Sequence, residues 1–80
     1  MGGEHVHSMD IHLSAIDDIR TFVNLANRYP FYIALRQGRA QVDAKSLLGV
    51  LSLDNSKPIT VEIYTGDASE MMEALETYAR

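Results

Sequence analysis

Val42-Asp43-Ala44-Lys45-Ser46-Leu47-Leu48-Gly49-Val50-Leu51-Ser52-Leu53 joins the end of a strand to a short apolar helix, and the rest of the chain is arranged around it. Ser46 stands directly before an apolar run in which Leu47, Leu48, Val50, Leu51 and Leu53 fall at helical spacing. Its hydroxyl is placed to cap the free backbone donors of that helix. The spacing predicts one to two turns. The core-facing stripe of a helix takes only three to four positions per two turns, so five large apolar side chains cannot all be buried beneath so short an element. Leu47, Leu48 and Leu51 are therefore expected to face solvent or a partner.

Working upstream, Ala40 to Asp43 reads as a short strand, reached through a turn at Gly38 from the dense apolar strand Phe31 to Arg36. That strand alternates Phe31, Ile33 and Leu35 against Tyr32, Ala34 and Arg36. Arg36 and Arg39 flank the turn and read as solvated hairpin charges. Tyr29-Pro30 ends the preceding helix, because the residue before proline is pushed out of helical geometry. This first helix is expected over Ser14 to Arg28, with Ile16, Ile19, Phe22, Val23 and Ala26 on one face. Ser14 and Asp17 have capping-box spacing, and Asp17 with Asp18 complements the positive end of the helix dipole. Before it, Met9, Ile11 and Leu13 alternate with Asp10 and His12 as in a half-buried strand. Met1 to Ser8 lacks sustained periodicity and reads as a flexible or cloning-derived N-terminus outside the fold. His5 and His7 within it read as solvated terminal histidines, with no third ligand at a favourable spacing for a metal.

Downstream, Asp54 to Pro58 is a polar loop. Ile59, Val61 and Ile63 then alternate with Thr60, Glu62 and Tyr64, and Gly66 ends this strand. Asp67 and Glu70 have capping-box spacing before a helical stripe of Ala68, Met71, Met72, Leu75 and Ala79, with Glu73 and Glu76 outside it. The order is strand, helix, strand, strand, short helix, strand, helix. Strands with one apolar face and helices with one apolar stripe are satisfied by two layers, an α+β arrangement with helices on one face of an antiparallel sheet.

The chain has 80 residues, which reads as a single domain over 1–80, and a domain of this size buries only about 60% of the surface its unfolded chain exposes. With no cysteine there is no disulfide framework or thiolate metal site, and a reducing cytoplasm is the natural compartment. The net charge of −4 with no clustered basic stripe argues against nucleic acid as a partner. The longest dense apolar run, Leu47 to Leu53, is far shorter than a membrane span, and the polar N-terminus is unlike a signal peptide. No Ser/His/Asp arrangement, glycine-rich phosphate loop or carboxylate-histidine metal spacing can be placed on facing elements. No enzymatic activity, cofactor or metal is expected.

Lys45, Ser46, Gly49, Ser52 and Leu53 resemble the second-helix segment of HPr, the histidine-containing phosphocarrier protein of the bacterial sugar phosphotransferase system. There a Lys-Ser pair is followed by apolar-apolar-Gly-apolar-apolar-Ser-Leu. The similarity extends by element order and spacing from about Ile11 to the C-terminus. It implies an open-faced two-layer β-sandwich, β-α-β-β-α-β-α, with sheet order 1-4-2-3. The family opens its first helix with Gly-Leu-His-Ala-Arg-Pro-Ala, whereas the matching positions here are Leu13, Ser14, Ala15, Ile16, Asp17, Asp18 and Ile19. Ala15 then replaces the phosphorylated histidine, and Asp17 the arginine. Asp54 and Pro58 stand where the family usually has glycines.

The resemblance thus implies a phosphotransferase-related, non-enzymatic module that is regulatory or protein-binding. Its docking surface would be the end of the first helix with Leu47, Leu48 and Leu51. Its partners would be proteins, of the phosphotransferase system or akin to HPr kinase. Ser46 is the candidate phosphoacceptor, since histidine-less members acting as serine-phosphorylated regulators are known in the family; the competing reading is that Ser46 is an N-cap and nothing more. Two further readings stand beside this one: a working phosphocarrier using His12 or another acceptor, and an interaction protein that shares only the fold.

Overall fold

Ile59–Tyr64 has the cleanest alternation in the chain, and it occupies the middle of the sheet. In the computed structural model, which describes residues 6–79, four strands and three helices follow the expected order. They are β1 (Val6–Ile11), α1 (Ile16–Ala26), β2 (Tyr32–Gln37), β3 (Ala40–Asp43), α2 (Leu47–Leu51), β4 (Ile59–Tyr64) and α3 (Ser69–Leu75), with a closing 3₁₀ turn at Glu76–Tyr78. The sheet is antiparallel throughout, in the order β1-β4-β2-β3. Ile63 lies opposite His7 on one side and Ile33 on the other, and Val61 lies between Met9 and Leu35. This register puts Ile33, Leu35, Val61 and Ile63 on one face, where each is fully buried with Phe22, Met71 and Leu75 of the helices. The fold is the α+β open-faced sandwich, helices on one face.

Several boundaries depart from the sequence reading. The first strand begins at Val6, and Val6, His7 and Ser8 pair with Tyr64, Ile63 and Glu62. Residues 6–8 thus belong to the sheet, because β4 is long enough to offer them backbone partners that periodicity alone does not reveal; His5 lies outside the described residues. Helix α1 starts two residues later than expected. Its N-cap is Ala15, with an extended backbone (φ −105°, ψ 149°) and no side-chain cap. Ser14 is one position too early for the Ser14–Asp17 box to form. Ile16, assigned to the buried stripe, is 57% exposed, being the first residue of the helix at the margin of its apolar face. The second strand runs one residue later, leaving Phe31 outside it to stack on Tyr29 with centroids 5.2 Å apart.

The Asp67–Glu70 box is also absent. Asp67 Oδ1 instead accepts from Ser69 N at 3.1 Å and Ser69 Oγ at 2.7 Å, an Asx turn that leads into α3. Both bonds favour the carboxylate and hold Asp67 below the usual range for an aspartate. The helical stripe stops at Leu75, where the backbone tightens into the 3₁₀ turn, and Ala79 is exposed. Arg36 is not a free hairpin charge. Its Nε donates to Glu62 Oε2 at 3.1 Å and Nη2 to Gln41 Oε1 at 3.0 Å, both across the outer sheet face. Gly38 turns the β2–β3 hairpin with φ +59°, a left-handed conformation that side-chain-bearing residues rarely adopt.

Candidate functional site

Ser46 caps α2 as its position in the sequence indicates: its hydroxyl accepts from Gly49 N at 3.1 Å. Gly49 is needed at that place. A Cβ there would stand 3.3 Å from Ser46 Oγ and 3.3 Å from Val42 Cβ, so glycine lets α2 lie tightly on β3 with the cap intact. Lys45 is fixed just before it by an ammonium bond to Tyr29 O at 2.6 Å. The loop after α2 is held by Gln37, whose amide donates to Asp54 O at 2.7 Å and accepts from Asp54 N at 2.8 Å. Asp54 in turn accepts from Ser56 N and Oγ, which keeps its carboxyl below the ordinary aspartate range. The side chains of Gln37, Asp54 and Ser56 thus organise this loop.

With its ends tied down, α2 buries one side only. Val50 is fully buried and Leu53, just beyond the helix, is 7% exposed, while Leu48 is 81% exposed and Leu47 and Leu51 are nearly 40% exposed. Helix α1 contributes to the same face. Asn27 sits on the side of α1 turned to α2, where its amide donates to Lys45 O at 3.2 Å. At about 100° per residue, Ile16 and Arg20 share that side of the helix. Six large apolar side chains are well exposed among the described residues (Val6, Ile16, Tyr32, Leu47, Leu48 and Leu51), and four of them, Ile16 with the three leucines, belong to these two helices. An apolar surface left open by two packed helices is the usual form of a docking site. Ile16 is the member that sequence reasoning missed. Helical spacing counts Ile16 with the buried stripe of Ile19, Phe22, Val23 and Ala26, whereas as the first residue of the helix it stands exposed at the margin of that face.

The start of α1 offers little acid–base chemistry. Ala15 presents a methyl group at the cap position, with Ser14, Ile16 and Asp17 exposed around it. Thr21 Oγ1 is taken up by Asp17 O at 2.9 Å. Asp18, half-buried in the first turn, lies within electrostatic reach of Tyr78. Burial first, and the Asp18 charge second, push the Tyr78 phenol above its usual value. His12 is exposed ahead of the helix, its backbone N–H donating to Tyr78 O at 2.8 Å.

This two-layer fold and its sheet order are those of phosphotransferase-system HPr proteins. The family model described as the PTS HPr component phosphorylation site matches residues 12–80, and the chain belongs to that family. In structure it is similar to the phosphocarrier protein HPr from Bacillus anthracis str. Ames, with 26% identity, TM-score 0.74, and coverage of 99% of this chain and 100% of that one. It is also similar to HPr-C-His from Thermoanaerobacter tengcongensis, with 26% identity, TM-score 0.67, and coverage of 91% and 88%. Comparison with curated proteins finds no match.

The cap itself is directly testable. Ser46→Ala leaves Gly49 N without its acceptor and is expected to cost about 0.5–2 kcal/mol. Aspartate caps as well as serine and adds a charge that the helix dipole favours, so Ser46→Asp should retain parental stability. Urea unfolding of the three proteins distinguishes these outcomes, and equal midpoints for Ser46→Ala and the parent would contradict the cap.

Proposed function

We propose that this HPr-family chain is a non-enzymatic regulatory module, which binds a protein of the phosphotransferase system through the Ile16, Leu47, Leu48 and Leu51 face and carries no phosphoryl group at Ala15. The observation that supports this reading is the pairing of an open apolar face with a helix start that lacks a nucleophile. A methyl group cannot accept a phosphoryl group, and the nearby carboxylates of Asp17 and Asp18 oppose a dianion. The docking face does not depend on that chemistry, so binding can persist without transfer. Ser46, exposed beside the leucines, is the proposed acceptor for regulation; the alternative carrier reading rests on His12, whose side chain is exposed.

Phosphorylation at Ser46 would place a dianion at the rim of the apolar face and change partner choice by charge alone. An HPr kinase with ATP should therefore phosphorylate the parent and leave Ser46→Ala untouched. In parallel, Ser46→Asp should alter partner binding without altering stability. If the kinase ignores the parent and Ser46→Asp binds each partner as the parent does, the regulatory reading fails and Ser46 is a cap only.

A further inference from the structure

Helix α3 and the sheet edge beside it form a second surface, remote in sequence from α2. Strand β1 is an outer strand, so one side of its backbone has no partner within the sheet. Outside the sheet, no backbone–backbone hydrogen bond reaches Val6–Ile11 among the described residues. The edge is long and regular. Six consecutive residues pair with β4 without a bulge, and Val6–Ile11 contains neither proline nor lysine, the features that usually blunt such an edge. The opposite edge, β3, is only four residues long.

A groove of about 590 Å³ runs between β1 and α3. Met9 and Met72, both half-buried against the core, give it an apolar floor, and Glu70, Glu73 and Glu76 stand along the helix side. None of these three carboxylates has an ion-pair partner among the described residues. From Pro58 to Ala79 the chain contains no lysine or arginine at all. An unpaired strand edge offers main-chain bonds to an extended segment, the methionines accommodate apolar side chains of varied shape, and the carboxylates select cations.

We propose that the β1–α3 groove docks an extended basic segment of a partner protein, which adds as a strand to β1, seats its apolar side chains on Met9 and Met72, and pairs Lys or Arg with Glu70, Glu73 and Glu76. A second copy of this chain does not fit. Its two edge strands carry no lysine or arginine, and pairing β1 with β1 would bring two sets of glutamates together.

The probe is a capped heptapeptide of alternating arginine and valine, followed by amide NMR shifts and calorimetry on the full chain. Perturbed amides should map to Val6–Ile11 and α3. Three exposed charge pairs together contribute enough that Glu70→Gln/Glu73→Gln/Glu76→Gln should weaken binding about tenfold. N-methylation of alternate peptide residues, which removes main-chain bonding without touching the protein, should weaken it about tenfold or more. A glutamate–valine peptide should not bind. Shifts confined to the Leu47, Leu48 and Leu51 face, equal binding of the glutamate peptide, or indifference to N-methylation would each overturn the proposal, as would dimerisation of the free protein through β1.

Discussion

Phe22→Ala is expected to leave the protein largely unfolded at moderate urea. Phe22 is fully buried on α1 and meets the Tyr78 ring edge-to-face, with centroids 6.3 Å apart and planes at 86°. Truncating a buried phenylalanine to alanine removes the transfer energy and leaves a cavity, about 3–5 kcal/mol in all. Total stability of small domains begins near 5 kcal/mol, so one such loss consumes most of it. The closing 3₁₀ turn would loosen as well, since Tyr78 packs on that ring and its carbonyl holds His12 N. Phe22→Leu, which keeps most of the volume, provides a folded intermediate for quantitative comparison. A Phe22→Ala unfolding free energy within about 1 kcal/mol of the parent would mean that the α1 and C-terminal packing is wrongly described.

The second large effect concerns phosphoryl acceptance. Ala15→His alone should be phosphorylated poorly by enzyme I with phosphoenolpyruvate, whereas Ala15→His/Asp17→Arg/Asp18→Pro should be phosphorylated readily. At solvent-like screening, each carboxylate opposes a nearby phosphate charge by about 1 kcal/mol at 4 Å. Replacing Asp17 with arginine reverses one of these terms, and removing Asp18 cancels the other. Proline is tolerated at position 18 because it falls in the first turn, where the backbone N–H has no helical acceptor. The comparison is between initial rates of phosphate incorporation for the single and triple variants, and equal rates would show that the local field is not what matters.

How much of this was legible beforehand differs between the two halves of the site. The α2 face was readable because two local rules coincide there. A serine directly before an apolar run marks the start of a helix, and five apolar residues on so short a helix exceed what it can bury. The surplus is Leu47, Leu48 and Leu51, all exposed. The start of α1 was less legible, since serine at position 14 and aspartate at 17 satisfy the capping pattern on paper. The chain remains extended through Ala15, so the cap falls one residue past Ser14 and the helix opens at Ile16. Ile16 is thus the first residue of the helix, and it is exposed. Strand β1 was missed at Val6–Ser8 for a different reason: pairing with β4 is a long-range condition, and no periodicity in three residues announces it. The β1–α3 groove depends on the same distant pairing, which sets Met9 beside Met72 although the two are far apart in the sequence.

The central claim is that this HPr-family chain binds without carrying phosphate at the start of α1. It is tested most directly by incubating the intact protein with enzyme I and phosphoenolpyruvate and measuring its mass before and after brief acid treatment. The expected result is an unchanged mass under conditions that fully phosphorylate a histidine-bearing HPr in the same tube. A gain of one acid-labile phosphoryl group would contradict the claim and turn attention to His12.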